Sequence, residues 1–165
     1  MKVLILLGVQ LLAFVFAVTA AADDDQRLKE LDAYWQKVSA AVTAGDFEAY
    51  AATTHPEGIL VNGIKGTSMP LKKALARWKE GIDATKAGKL SASVEFRLGH
   101  RYGDETTAHE SGIFLYATQK PGEELKKDYI HFEALLTRKD GKWQILMEYQ
   151  KAPATAKQWE ALGKD

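Results

Sequence analysis

Between Asp24 and Ala44, apolar residues return every three or four positions, at Leu28, Leu31, Trp35, Val38 and Val42. That spacing lays one apolar stripe along an amphipathic helix. The acidic Asp23-Asp24-Asp25 suits the positive end of its dipole, and Gly45 suits its C-cap. Asp46 predicts a capped short helix through Thr53, carrying Phe47, Tyr50 and Ala51. The His55-Pro56 step ends it, because the residue before a proline avoids helical backbone. Gly58 to Gly63 reads as a short strand with a turn at Asn62-Gly63. Ser68 is expected to cap a third helix, with Pro70 in its first turn and Leu71, Leu75, Trp78 and Ile82 as its stripe. Gly81 weakens the last turn of that helix, and Gly88 lies just past its end.

After this the period changes. Leu90, Ala92, Val94, Phe96 and Leu98 alternate with polar residues, the signature of a strand. Long strands are expected over 90–102, 106–118, 125–137 and 142–150. The turns between them are Tyr102-Gly103-Asp104-Glu105, Lys120-Pro121-Gly122-Glu123 and Asp140-Gly141. Thr155 to Leu162 reads as a last short helix anchored by Trp159. Helices first and long strands afterwards describe an α+β domain, a cone-shaped curved antiparallel sheet wrapped around N-terminal helices.

Ahead of this domain, Lys2 precedes an apolar run from Val3 to Val18, broken only by Gly8 and Gln10, and Ala20-Ala21-Ala22 follows. The pattern reads as a signal peptide over 1–22, with an uncleaved anchor helix as the alternative. The run is shorter than the roughly 20 residues a bilayer span needs. Residues 23–165 are expected to form a single domain, periplasmic or secreted, with no membrane association after cleavage. The chain has no cysteine, which excludes a lipid-modified N-terminus and disulfide stapling. Its 22 Lys and Arg balance 22 Asp and Glu, and Lys72-Lys73, Lys126-Lys127 and Lys142 are scattered rather than gathered in a stripe. Nucleic acid is excluded as a partner on that ground.

Three segments carry a resemblance: Ala44-Gly45-Asp46, Gly58 to Gly66 leading into Ser68-Met69-Pro70, and the closing Asp140-Gly141-Lys142-Trp143-Gln144-Ile145. In this order they resemble the nuclear transport factor two-like superfamily, which includes the SnoaL-like and ketosteroid-isomerase-like proteins. The resemblance spans Asp24 to Lys151 and implies a cone with a pocket between the concave sheet face and the helices, often in a homodimer. It implies no single chemistry. The steroid-isomerase branch fits poorly. By that resemblance its catalytic tyrosine falls on Val38, its general base on Asn62, and its acidic oxyanion donor on Glu133. Valine donates no proton and an amide abstracts none, so steroid isomerisation is rejected.

Alternation puts Tyr129, His131, Glu133 and Leu135 on one face of the third long strand, and Ile130, Phe132, Ala134 and Leu136 on the other. The resemblance implies that the second, apolar set is convex, against a partner or the last helix. The first set would then face the cone, joined by His109, Ser111, Leu146, Glu148 and Gln150 from neighbouring strands. Three readings stay open for this group. A glutamate with raised pKa (Glu133 or Glu148) could work with His131 as a catalytic acid/base pair. Alternatively, His109, His131 and a glutamate could hold a divalent metal, although no His-x-His or His-Glu-x-x-His spacing supports it. The third is a satisfied polar network, or the opposite face assignment.

Trp35 and Trp78 read as core, or as the lining of the cone's mouth beside Asn62. His55 and His100 read as solvent-facing, and Glu95 and Arg97 lie on the face opposite Phe96. There is no cysteine nucleophile, no Gly-x-Ser-x-Gly elbow and no phosphate-binding glycine loop. The leading expectation is an exported, cofactor-free homodimer that binds a small, partly apolar molecule. The alternatives are an acid/base isomerase, cyclase or hydrolase using His131 and Glu133, and an assembly domain without a ligand.

Overall fold

The computed structural model describes the backbone of residues 4–163 and the side chains of residues 24–163. The expected signal segment, 1–22, lies outside the residues whose side chains are described. Helix α1 (Leu4–Ala44) buries Leu31, Trp35, Val38 and Val42 of the stripe its spacing predicts, and Tyr34 and Ala41 besides, while Leu28 is only half-buried. It ends at Gly45, whose φ of 65° lies in the left-handed region. The Gly45 amide donates to the Val42 carbonyl and the Asp46 amide to the Ala41 carbonyl, at 3.1 and 2.9 Å, a Schellman ending. A Cβ at Gly45 would sit 2.3 Å from the Lys86 amide nitrogen, so the end of α1 abuts the end of the third helix. Gly45→Ala is expected to lower stability by at least about 1–3 kcal/mol, the cost of a non-glycine residue held left-handed. An unchanged urea midpoint would rule this out.

Helix α2 (Phe47–Ala51) starts at Asp46, whose Oδ1 accepts from the Ala49 amide at 3.0 Å. Strands β1 (Thr54–Asn62) and β2 (Thr67–Pro70) form an antiparallel hairpin, and helix α3 (Leu71–Lys86) follows. This corrects the expected role of Ser68. It pairs with Val61 in β2, and α3 begins after Pro70 without any side-chain cap. Pro70 has φ −55° and ψ 136°, extended backbone that closes β2 against Ile59 before the helix starts.

Strands β3 (Ser91–Gly103), β4 (Thr107–Gln119), β5 (Lys126–Lys139) and β6 (Lys142–Pro153) complete a six-stranded sheet in the order β2-β1-β6-β5-β4-β3. The sheet is mixed rather than wholly antiparallel, since β1 and β6 run parallel. Alternation reveals that a strand exists but not its partner, so this pairing was not foreseen.

α1 lies across the concave face, and Leu31, Trp35 and Val38 share one core with Val94, Ala108, Phe132, Ala134, Leu136, Trp143 and Ile145. Trp35 and Phe96 rings lie 4.4 Å apart, and Phe132 sits 5.6–5.7 Å from Trp35, Phe96 and Phe114. The even-numbered face of β5 is therefore concave, the reverse of the expectation. The physical reason is plain: its uniformly apolar residues gain most by covering the stripe of α1. Helix α4 (Ala156–Ala161), closed by a Thr155/Gln158 capping box, packs on the convex side, where Trp159 joins Ile113, Leu115 and Tyr129.

Candidate functional site

The reversed face divides the expected site in two. His109, Ser111, Tyr129, His131 and Glu133 lie on the convex side. Tyr129 packs against Trp159 at 6.0 Å between ring centroids. Glu133 spans three strands, accepting from Lys151 Nζ on Oε1 at 2.6 Å and facing His109 Nε2 with Oε2 at 3.4 Å. These partners, Lys151 first, hold its carboxyl below the ordinary value, opposite to the elevation a general acid needs. Glu133 with His131 thus fits the acid/base role poorly. Among the described residues, no group of three His, Cys, Asp or Glu could hold a metal ion.

On the concave side are Trp35, Asn62, Trp78 and Glu148. Trp35 is 7% exposed and its indole donates to Glu110, so it belongs to the core rather than the mouth. Glu110 itself is fully buried and is held by Arg101 Nε at 2.6 Å, while Arg101 Nη1 reaches Asp32 on α1 at 2.6 Å. Asn62, Gln150 and Glu148 form a chain. Asn62 Nδ2 donates to Gln150 Oε1 at 3.4 Å, and Gln150 Nε2 donates to Glu148 Oε1 at 2.7 Å. Trp143 and Ile145 point into the core, then the β5–β6 register shifts between Leu135 and Leu136. That shift turns the even residues of β6 inward, so Glu148 and Gln150 face Ala134 and Phe132 instead of His131 and Glu133.

Around Glu148 stand phenols that the sequence reading did not assign to a site. Burial pushes the Tyr50 hydroxyl well above its ordinary value, reinforced by the charges of Glu148, Tyr34 and Tyr116. Tyr34 is raised by burial too, and its hydroxyl donates to the Thr53 carbonyl at 3.1 Å. Tyr116 is raised by burial and by Asp128. Tyr50 meets Trp78 edge to face at 6.2 Å. Burial raises the Glu148 carboxyl, opposed only by the Gln150 hydrogen bond. Glu148 nonetheless keeps some accessible area, as do Tyr50, Asn62, Trp78, Tyr116 and Gln150, unlike the sealed core beneath Trp35. A desolvated carboxyl in a residue that keeps some exposure is a candidate for hydrogen-bond or proton chemistry. Tyr50 escaped notice because its place in a short amphipathic helix reads as core. Gln150 was placed in the cone but given no role, because its bond to Glu148 depends on the shift in β6.

Two grooves lie elsewhere. One of about 470 Å³ is lined by Thr43, Thr85, Gly88 and Lys120 among others, and has no carboxylate or imidazole. The other, about 510 Å³, separates α4 from the convex sheet face.

No family model and no curated protein matches the chain. Solved structures do. A provisionally named scytalone dehydratase from Novosphingobium aromaticivorans is similar at TM-score 0.63 and 10% identity, over 82% of this chain and 89% of that one. A ketosteroid isomerase-like protein from Erwinia carotovora matches at TM-score 0.55 and 14% identity, over 74% and 92% respectively. An NTF2-like protein of unknown function from Prochlorococcus marinus matches at 0.59 and 11%, over 78% and 94%. At such identities the likeness speaks for architecture, and with the helices-then-sheet order and the concave cluster it shows that the chain has the cone fold of the nuclear transport factor two-like superfamily.

Proposed function

We propose that the open end of the cone binds a small, partly apolar molecule carrying at least one acceptor oxygen. The observation that carries this reading is Glu148, an inward, partly exposed residue whose carboxyl burial keeps toward its neutral form, near the phenol of Tyr50, which in turn meets the Trp78 ring. A neutral carboxyl and two aromatic donors present N–H and O–H groups at the edge of an apolar surface. The same carboxyl is the group that an acid/base enzyme on this scaffold would use, in place of His131 and Glu133. Native mass spectrometry of gently purified protein tests the reading. A bound small mass should disappear in Glu148→Ala and Trp78→Ala and survive in Glu133→Ala. Retention in both cone variants would refute it.

Glu148 also sets an expected pH dependence. Its folded-state pKa is raised, so the folded chain holds the proton more tightly than the unfolded chain. Stability contributed by that proton is present in acid and falls as pH rises from about 4, the unfolded carboxyl range, through the raised value. Glu148→Gln, neutral at every pH, should therefore gain stability over wild type at pH 8 relative to pH 4. Equal urea midpoint differences at the two pH values would contradict it.

Export and pairing belong to the proposal as well. Export rests on the sequence of 1–22 and is read by cell fractionation. A homodimer would use the part of the convex face that α4 leaves open, where Ile59 is 48% exposed next to Met147, and sedimentation velocity reads it.

A further inference from the structure

We propose a second binding site on the convex face, in the groove between the sheet and α4, for a small monocarboxylate with an apolar body. The groove holds about 510 Å³, within the range of about 300–1,000 Å³ typical of small-molecule pockets. Two irregularities of the sheet build it. The β3–β4 register shifts between Leu98 and His100, leaving Gly99 as the extra residue. The β5–β6 register shifts between His131 and Phe132, opposite Ala152 and Gln150, leaving Lys151 as the extra residue. Bulges insert one residue and re-aim the side chains around it. These two lie on strands that are not neighbours, yet both extra residues line the same groove.

The opposite wall is held in place. Arg97, 8% exposed, donates from Nη1 to the Trp159 carbonyl at 2.7 Å and lies 4.2 Å over the Trp159 ring. The capping box at Thr155 fixes the start of α4. The cavity therefore exists before a ligand arrives, which lowers the ordering cost of binding.

The lining is divided chemically. Ile113, Ala161 and Leu162 offer apolar surface, while Ser111, His131, Glu133, Lys151 and Gln158 supply the polar groups. Lys151 gives one N–H to Glu133 and keeps two of its three donors, with the side chain 44% exposed. Glu133 is engaged by Lys151 and His109 on its two oxygens. The free donors of Lys151 thus match a carboxylate through charge-assisted hydrogen bonds. The hydrocarbon part of the ligand covers Ile113 and Leu162.

Titration calorimetry and NMR on the full chain, with octanoate and octanol as probes, test the site. Octanoate should bind and shift His131 and the amides of α4, and octanol should bind at least about tenfold more weakly, the loss of one charge-assisted bond. Lys151→Gln, at an exposed position, should weaken octanoate by a similar factor with the melting curve retained. Ala161→Phe should fill the groove and abolish binding, and Glu148→Gln should leave it intact. The proposal is overturned by absence of octanoate binding at millimolar concentration, by wild-type affinity in Lys151→Gln, or by shifts confined to Tyr50 and Trp78 in the cone.

Discussion

Arg101→Met is expected to destabilise the fold by about 3–5 kcal/mol, the cost of removing one partner of a buried ion pair. Glu110 is fully buried, and its partners are the Arg101 guanidinium and the Trp35 indole. Methionine conserves volume but leaves that carboxylate with one neutral donor inside the aromatic core. Glu110→Gln should cost less, because Arg101 keeps Asp32 and a side-chain amide can still accept from Trp35. The double replacement Arg101→Met/Glu110→Leu should recover much of the loss, since no charge is then stranded. Urea unfolding of the three variants reads the order, and a double variant no better than Arg101→Met would show that the pair contributes more than its desolvation costs.

Phe132→Ala is expected to cost about 3–5 kcal/mol, the usual range for emptying a large aromatic site. Phe132 is 2% exposed and touches the three rings of Trp35, Phe96 and Phe114, so the cavity has rigid walls and collapses little. With domains of this size stable by about 5–15 kcal/mol, the variant should melt far lower or fail to accumulate. Phe132→Glu, which the expected convex placement would make a test of dimerisation, should instead give an unfolded chain. A soluble, folded Phe132→Glu protein would mean that β5 faces the other way.

Those two residues also mark where sequence reading succeeds and where it stops. The helices were legible because Leu31, Trp35 and Val38, or Leu71, Leu75 and Trp78, repeat at the helical period, and Gly45 and Asp46 punctuate the junction. The strands were legible as alternation, and the last helix through Trp159. The faces were not. On β5 the apolar set was itself the signal for the core, and preferring the family's geometry over that burial argument reversed it. On β6 the sequence put Glu148 and Gln150 toward the cone, where they lie, but in company with His131 and Glu133; the register shift sets them beside Ala134 and Phe132 instead. The hairpin strand β2 was hidden because four residues ending in proline read equally well as a helix entrance. Nothing local marks Glu110 as buried; its placement depends on Arg101 and Trp35, nine residues and 75 residues away in the chain.

The position of β6 in the sheet has a consequence for synthesis. It lies between β1 and β5, and so joins the early hairpin to the later meander. A ribosome delivers it last among these six strands. Until then β1 and β5 each present an unpaired edge, and Leu136 lacks its cross-strand partner Ile145. The nascent chain is therefore two sticky half-sheets waiting for their keystone, a state in which chaperone holding is needed most.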